Sequence, residues 1–169
     1  MNQINNDRKK TSSISPSPRV AFIAAQWHAP IVEKCREGFA AEFERLGHSM
    51  ATVDVLTVPG SFDIPLLAKR LAESNHYEAI VAAGLIVDGG IYHHEFVSSA
   101  VIDGLMRVQL DTDTPVISAV LTPHQFQETE PHIRFFSEHF IIKGQEAARA
   151  CAEIVDNLRA LEGKSGVAA

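Results

Sequence analysis

The chain has 169 residues, of which 46% are hydrophobic, and this is enough for one domain with a packed core rather than a globally disordered chain. Its 15 Lys and Arg residues against 21 Asp and Glu residues give a formal net charge of -6, which argues against a nucleic-acid backbone as the main partner. The sequence has neither an apolar run of the ~20 residues that a membrane span needs nor the apolar core of a signal peptide, so we expect no membrane association and no export.

The predicted elements begin after a polar N-terminal segment. Residues 1–18 are rich in Asn, Lys, Ser and Pro and predict a disordered tail, and residues 163–169 predict a frayed C-terminus, which leaves residues 19–162 as a single domain. Residues 19–26 contain a continuous apolar run, which is typical of a strand buried on both faces. After Pro30, apolar residues recur every four positions and predict a first helix that ends near Gly47.

The same alternation continues along the chain. Three more strands are predicted at residues 52–58, 79–87 and 115–122, and three more helices at residues 64–73, 95–110 and 143–161, with residues 123–139 irregular or briefly helical. Alternating strands and helices indicate a four-stranded parallel sheet covered on both faces, a three-layer α/β/α sandwich of the flavodoxin-like kind. Ligands of such folds bind beyond the carboxyl ends of the strands, so we expect a site within residues 26–29, 59–63, 84–94 and 121–139.

The two cysteines are interpreted as structural. Cys35 and Cys151 lie far apart, each within a helix-like pattern, and no CxxC or Cys/His zinc spacing is present. They are typical of buried thiols in a reducing compartment, which favours a cytoplasmic location.

The segments after the first two predicted strands contain candidate binding residues. Trp27, the only tryptophan, is either a core or interface aromatic or a platform on which a flat ring stacks. Ser61 and Asp63 follow a Pro-Gly turn and are good helix N-caps, while the free backbone N–H groups of that helix start could instead bind a ligand. Both alternatives stay open for each segment.

The segment after the third predicted strand combines two glycines with two histidines. Gly89 and Gly90 let the backbone pass close to a ligand, and His93 and His94 stand at the start of a helix. Histidine exchanges protons near neutral pH, although a structural or solvated histidine is the simpler interpretation. Neighbouring residues on a helix point in different directions, so only one of the two is expected to face a site.

Basic residues gather after the fourth predicted strand, at His124, His132, Arg134, His139 and Lys143. Against a net acidic background they could hold a phosphate, or they could form a solvated surface. Their spacing matches no usual zinc pattern, so no metal site is expected.

Four segments, in order and at matching spacing, resemble the lumazine synthase family over nearly the whole of residues 19–161. Residues 58–65 (VPGSFDIP) are similar to its V-P-G-A-F-E-I-P segment, and residues 84–87 with 89–97 are similar to its G-A-V-I-R-G-E-T-P-H-F-D-Y-V segment. Residues 115–122 resemble its P-V-I-F-G-V-L-T strand, and Lys143-Gly144 with Ala147-Ala148 resembles the K-G start of its final helix.

Three departures from the family pattern stand out. The R-G-E-T-P-H segment is replaced by residues 88–93, the aromatic of the fourth strand by Ser118, and the phosphate-binding arginine, eight residues before the lysine, by Phe135. These departures are similar to a divergent second type of the family found in some bacteria. The assembly of that type resembles a dimer of pentamers.

The resemblance implies an activity and partners. It implies a transferase of riboflavin biosynthesis that condenses 5-amino-6-(D-ribitylamino)uracil with 3,4-dihydroxy-2-butanone 4-phosphate to 6,7-dimethyl-8-ribityllumazine, without metal or redox cofactor. It also implies a homopentamer, or a decamer of two pentamers, with active sites at the subunit interfaces. Riboflavin synthase is a further candidate partner.

The resemblance also implies residue roles. Trp27 would stack on the pyrimidine, His93 would shuttle protons with His94 as the reserve, and Ser118 of a neighbouring subunit would close the site. The remaining roles are the ribityl chain at Ser61, Phe62 and Asp63, the uracil edge at Leu85, Ile86 and Val87, and the phosphate at the backbone of Gly89, Gly90 and Ile91 with His132 or Arg134 as charged partner. A non-catalytic lumazine or flavin carrier and a flavodoxin-like electron carrier or receiver domain are the alternatives.

Overall fold

The computed structural model describes residues 16–165; most of the two predicted tails lies outside this range. The strands are β1 (Val20–Ala25), β2 (Val53–Val58), β3 (Ala79–Leu85) and β4 (Val116–Leu121). The helices are α1 (Ala29–Arg45), α2 (Ile64–Glu73), α3 (His94–Thr112) and α4 (Glu130–Ser165), with short 3-10 turns at Met50–Thr52 and Ser61–Asp63.

The four strands form one parallel sheet in the order β2-β1-β3-β4. β1 pairs with β2 through Val20 opposite Val53, and β3 pairs with β4 through Ile80 opposite Val116. The central strands β1 and β3 are buried along their whole length, as their continuous apolar sequences predict. Because all strands run in one direction, their carboxyl ends meet at one side of the sheet, here called the carboxyl edge. The predicted four-stranded three-layer fold is confirmed.

Each face of the sheet is covered by a pair of helices. Alternate residues of β1 point to opposite faces, so Phe22 packs with the residues of α1 and α4, and Ile23 packs with those of α2 and α3. No helix in the described residues is long and apolar enough to cross a membrane.

Helices α1 and α4 pack in backbone contact. A Cβ added at Gly38 would overlap the backbone of Ile141, and one added at Gly144 would overlap the backbone of Cys35. The two glycines therefore allow the helix axes to approach more closely than side chains permit. Cys35 and Cys151 are both buried beside this contact, and burial raises the pKa of each thiol to about 12.

A buried carboxylate joins the same two helices. Glu42 accepts hydrogen bonds from Arg45 at 2.7 Å and from Arg149 of α4 at 2.8 Å. The hydrogen bonds from the two guanidinium groups lower the pKa of Glu42 to about 2. The carboxylate is therefore charged and paired at neutral pH.

The sequence prediction is wrong about the start of the last helix. Residues 123–139 were expected to be irregular or briefly helical, but α4 begins at Glu130, with Pro131 in its first turn, and Lys143-Gly144 lies in its middle. The helix has Phe136 and Phe140 against the core, while Ile133 and Phe135 are exposed on other sides. Apolar residues on several sides obscure the single stripe by which an amphipathic helix is predicted.

Residues 16–18, which were expected to belong to the N-terminal tail, contact the domain. Pro18 is fully buried, Ser17 accepts a hydrogen bond from the backbone N–H of Ser49, and Arg159 donates one to the carbonyl of Pro16. Helix α4 likewise continues to Ser165, into the segment expected to fray.

Candidate functional site at the carboxyl edge

The connections that leave the four strands share the carboxyl edge. The N–H of Gln26, just after β1, donates to the carbonyl of Val58 at the end of β2, at 2.9 Å. In the same way the N–H of Ile86 donates to Leu121 at the end of β4, at 2.9 Å. These two bonds extend the strand pairing by one residue and hold neighbouring connections side by side.

Trp27 lies in the connection after β1 and is 66% exposed. Its neighbour His28 takes the left-handed backbone conformation (φ 55°) that caps α1, and packs its ring edge-on against Phe126 at 5.0 Å. Nδ1 of His28 also lies 3.9 Å from Glu128. A core role for Trp27 within the single chain is therefore wrong, and the alternatives of ligand platform and interface aromatic remain.

The connection after β2 begins α2 and is fixed by its own cap. The carboxylate of Asp63 accepts the N–H of Gly60 at 3.0 Å. Ser61 is buried, and its Oγ has no hydrogen-bond partner. A Cβ on Gly84 would come within 2.5 Å of that Oγ, so the lack of a side chain at Gly84 lets this turn sit close to β3. Of the three residues predicted here, Phe62 and Asp63 are exposed and the Ser61 hydroxyl faces inwards.

The connection after β3 changes from buried to exposed within a few residues. Leu85 and Ile86 are buried and Val87 is half-buried, so the side chains of the first two belong to the core, and the N–H of Ile86 is already bonded to Leu121. Residues 88–93 are exposed, Ile91 by 84%, and Gly90 has a positive φ of 67°. This exposed turn offers the backbone N–H groups expected of a phosphate site.

The two adjacent histidines have opposite environments. The His93 side chain is 74% exposed, with Nδ1 3.1 Å from a carboxylate oxygen of Glu95. The His94 side chain is 9% exposed, with Nε2 3.2 Å from the carbonyl oxygen of Thr122 and its ring 5.5 Å from that of His124. His94 thus ties the start of α3 to the end of β4, and His93 alone is accessible at the edge.

The basic residues after β4 also separate. Nδ1 of His132 accepts the N–H of Gln127 at 3.1 Å, and the ring lies 6.4 Å from Phe126 and 6.5 Å from Phe136. Arg134 is exposed on α4.

Ser118 is not at the carboxyl edge of its own chain. It lies in the middle of β4, beside a cleft of about 170 Å³ whose lining includes Lys143 and Glu146.

Glu95, Phe126 and His28 also lie at the carboxyl edge, although they were not singled out from the sequence. Glu95 pairs with His93, and Phe126 is the ring against which both His28 and His132 pack. The spacing of Glu95, two residues after His93, was the available signal for a carboxylate partner. Within residues 16–163, no group of three or more His, Cys, Asp or Glu side chains is arranged to hold a metal ion.

A parallel α/β sandwich with an exposed aromatic and an accessible histidine at its carboxyl edge is typical of proteins that bind small molecules at that edge. The particular family follows from sequence comparison: a family model described as 6,7-dimethyl-8-ribityllumazine synthase matches residues 17–159. The chain belongs to this family, as its four motifs predicted.

Curated relatives match over most of both chains. A 6,7-dimethyl-8-ribityllumazine synthase of Rhodococcus erythropolis is 59% identical over 143 residues, 85% of this chain and 92% of the relative. A protein named 6,7-dimethyl-8-ribityllumazine synthase 2 from Bradyrhizobium diazoefficiens is 56% identical over 146 residues (86% and 87%), and one of that name from Pseudomonas syringae pv. tomato is 50% identical over 150 residues (89% and 88%).

Proposed function

We propose that this chain condenses 5-amino-6-(D-ribitylamino)uracil with 3,4-dihydroxy-2-butanone 4-phosphate at its carboxyl edge, giving 6,7-dimethyl-8-ribityllumazine for riboflavin synthesis. The observation that carries the proposal is the family match across residues 17–159, which includes all four connections at the edge. The two relatives named as synthase 2 support the further proposal that the chain belongs to the divergent second type.

The pyrimidine site is proposed around Trp27. Its indole is exposed beside the end of β1 and provides a flat apolar surface on which a heteroaromatic ring can stack. The main-chain groups of residues 85–87 would read the uracil amides, while Phe62, Asp63 and the backbone of Ser61 would hold the ribityl chain. Because the Ser61 hydroxyl faces inwards, its backbone is the better candidate contact.

The phosphate site is proposed at the exposed turn after β3. Backbone N–H groups of Gly89, Gly90 and Ile91 would contact the phosphate oxygens, with one cationic side chain as partner. Nδ1 of His132 already accepts a backbone hydrogen bond, which a protonated Nδ1 could not do, so this contact favours the neutral ring. Arg134 is exposed and has a guanidinium fork that matches phosphate geometry, and is therefore the favoured partner.

The chemistry needs proton transfers and two dehydrations, for which an imidazole is sufficient. The primary amine attacks the ketone carbon, and the carbinolamine loses water to form an imine. Phosphate then leaves by elimination, and the ribityl-bearing amine closes the ring with loss of a second water. In the first dehydration His93 would take a proton from the nitrogen of the primary amine and pass it to the leaving hydroxyl. Neither metal nor redox cofactor takes part in these steps, and most of the rate gain would come from holding the two substrates together.

The site is proposed to be completed by a second copy of the chain. Many large apolar side chains near the edge and along α3 are exposed to solvent, and exposed apolar surface of this kind favours an interface. They are Trp27, Phe62, Ile91, Tyr92, Phe96, Met106 and Leu110. A homopentamer, or a decamer of two pentamers, would cover them and bring Ser118 of a neighbour to the site. We further propose a cytoplasmic location and leave riboflavin synthase as a candidate partner.

Product formation tests the activity directly. The purified chain is mixed with both substrates, and the absorbance and fluorescence of the lumazine are followed beside an enzyme-free control, because the condensation can proceed slowly unaided. A protein-dependent rate well above the control is expected. A rate equal to the control, with tight binding of the lumazine, would overturn the enzyme and leave a carrier of the pathway product.

A further inference from the structure

The start of α3 places one carboxylate between two imidazoles. One oxygen of Glu95 lies 3.1 Å from Nδ1 of His93, and the other lies 4.0 Å from Nδ1 of His94. All three residues belong to the first turn of α3 or the residue just before it. The arrangement is therefore set by a few backbone torsions rather than by a flexible loop.

The hydrogen-bond partners define which ring nitrogen carries the proton. A carboxylate only accepts, so a hydrogen bond to Glu95 requires a proton on Nδ1 of His93 and leaves the lone pair of a neutral ring on Nε2. In His94 the opposite holds, because Nε2 faces the carbonyl oxygen of Thr122 and must donate to it. The two histidines thus have different tautomers imposed by different partners.

Glu95 is in the charged form that this arrangement needs. Its own backbone N–H is the largest cause that holds the pKa of the carboxyl below its ordinary value; desolvation opposes it, and the hydrogen bond from His93 lowers the pKa further. Its position in the first turn of α3 adds the positive end of the helix dipole. The charged carboxylate can therefore accept the hydrogen bond that orients His93.

We propose that Glu95 is the positioning residue of His93: it fixes the Nδ1–H tautomer and directs the basic Nε2 towards the reacting amines at the carboxyl edge. This rests on the proposed function of His93. In the first dehydration Nε2 takes a proton from the nitrogen of the primary amine, the imidazolium is held by the ionised Glu95, and the same proton passes to the departing hydroxyl, which leaves as water. Glu95 stays ionised throughout. His94, bonded to Thr122, holds the start of α3 in register with β4.

The direct test is nitrogen NMR of the full chain labelled in its histidine rings, without substrates. In the unchanged chain the His93 ring should be the Nδ1–H tautomer. Glu95→Gln should lose this preference, and Glu95→Asp, which keeps the charge, should restore part of it. The other titratable groups that face this cluster are His94, whose Nδ1 lies 4.0 Å from Glu95, and, across it, His124. The reference signal is that of His132, which accepts a hydrogen bond from Gln127 outside the cluster.

Kinetics supplies the second readout. Glu95→Gln should lower kcat about tenfold with little change in KM, and Glu95→Asp should recover part of kcat. Glu130→Gln is the matched control, because it makes the same change at an exposed carboxylate in the first turn of α4. It should leave the His93 signals and kcat unchanged.

The outcomes separate this inference from the proposed function. If the unchanged chain makes no lumazine, the tautomer of His93 still tests its pairing with Glu95. If the chain is active but Glu95→Gln matches Glu130→Gln in tautomer and kcat, the positioning role is overturned. A fall in activity with an unchanged His93 tautomer would also overturn it, since a merely structural effect would give that result.

Discussion

The α1–α4 layer and the carboxyl edge of the same sheet differ in how completely their side chains are packed and paired within the chain. In the layer, Gly38 and Gly144 let backbones touch and the charge of Glu42 has two arginine partners. At the edge, the side chains of Trp27 and Ile91 are largely exposed among the described residues. The layer is complete within one chain, whereas the edge is built to meet other molecules. Residues that a fold leaves uncovered are therefore the ones that identify its function.

If the reaction takes place at the carboxyl edge, substitution of His93 should lower kcat more than any other single change there. We expect His93→Ala to lower kcat by about 10² to 10⁴, the range of general acid–base catalysis, while a measurable rate remains because binding both substrates together still accelerates the reaction. Steady-state lumazine formation measures this, with an unfolding curve to show that stability is unchanged. Complete loss of activity in a folded variant would contradict a catalyst dominated by proximity.

Substitutions in the α1–α4 layer should change the free energy of unfolding rather than the activity. Gly144→Ala puts a Cβ into the backbone of Cys35, and overpacking of this kind costs about 1 to 3 kcal/mol or more of the free energy of unfolding. Chemical denaturation measures it. Gly163→Ala, in the same helix but with open space around the added Cβ, is the matched control and should be neutral or slightly stabilising. Equal behaviour of the two variants would refute the close helix contact.

Trp27 tests whether the edge binds an aromatic ring. Trp27→Ala should raise KM for the pyrimidine about fivefold, by the roughly 1 kcal/mol of lost ring stacking, with a smaller effect on kcat. Trp27→Phe should recover most of the affinity because it keeps an aromatic face. Should Trp27→Ala leave KM unchanged but lower the mass of the assembly, the indole is an interface residue rather than a ligand platform.

The smallest effect concerns pH and the paired carboxylate of the layer. The pKa of Glu42 is lowered to about 2 from an ordinary value of 4.5. Its stabilisation is therefore fully present above about pH 4.5 and is lost as the pH falls towards 2. Glu42→Gln should be less stable at neutral pH but lose less stability between pH 5 and 2. Glu44→Gln, an exposed carboxylate on the same helix, should keep the acid dependence of the unchanged chain; the pairing is disproved if both variants behave alike.

The sequence predicted the parts of this fold that depend on periodicity. β1 and β3 are continuous apolar runs and could only be buried strands, and strand–helix alternation then defined the parallel sheet and its carboxyl edge. Residues 130–142 of α4 were missed because Ile133 and Phe135 spread apolar character beyond the buried face.

The sequence predicted which segments form the site, but it did not predict the hydrogen-bond partners of individual side-chain atoms. Motif spacing located Trp27 and His93, because those positions follow strand ends. The bond that His132 accepts from Gln127 and the pairing of Glu95 with His93 depend on side-chain rotamers. The inward Oγ of Ser61 depends also on Gly84, a neighbour distant in sequence. Spacing carries no information about which atom of a side chain is already engaged.

The central claim is that the carboxyl edge holds the lumazine, and a crystal structure of the full chain with 6,7-dimethyl-8-ribityllumazine tests it most directly. We predict that the pteridine ring stacks on the indole of Trp27, with Nε2 of His93 facing it and Nδ1 still on Glu95. A lumazine bound away from the edge, with Trp27 covered by a neighbouring chain and His93 facing solvent, would contradict the account.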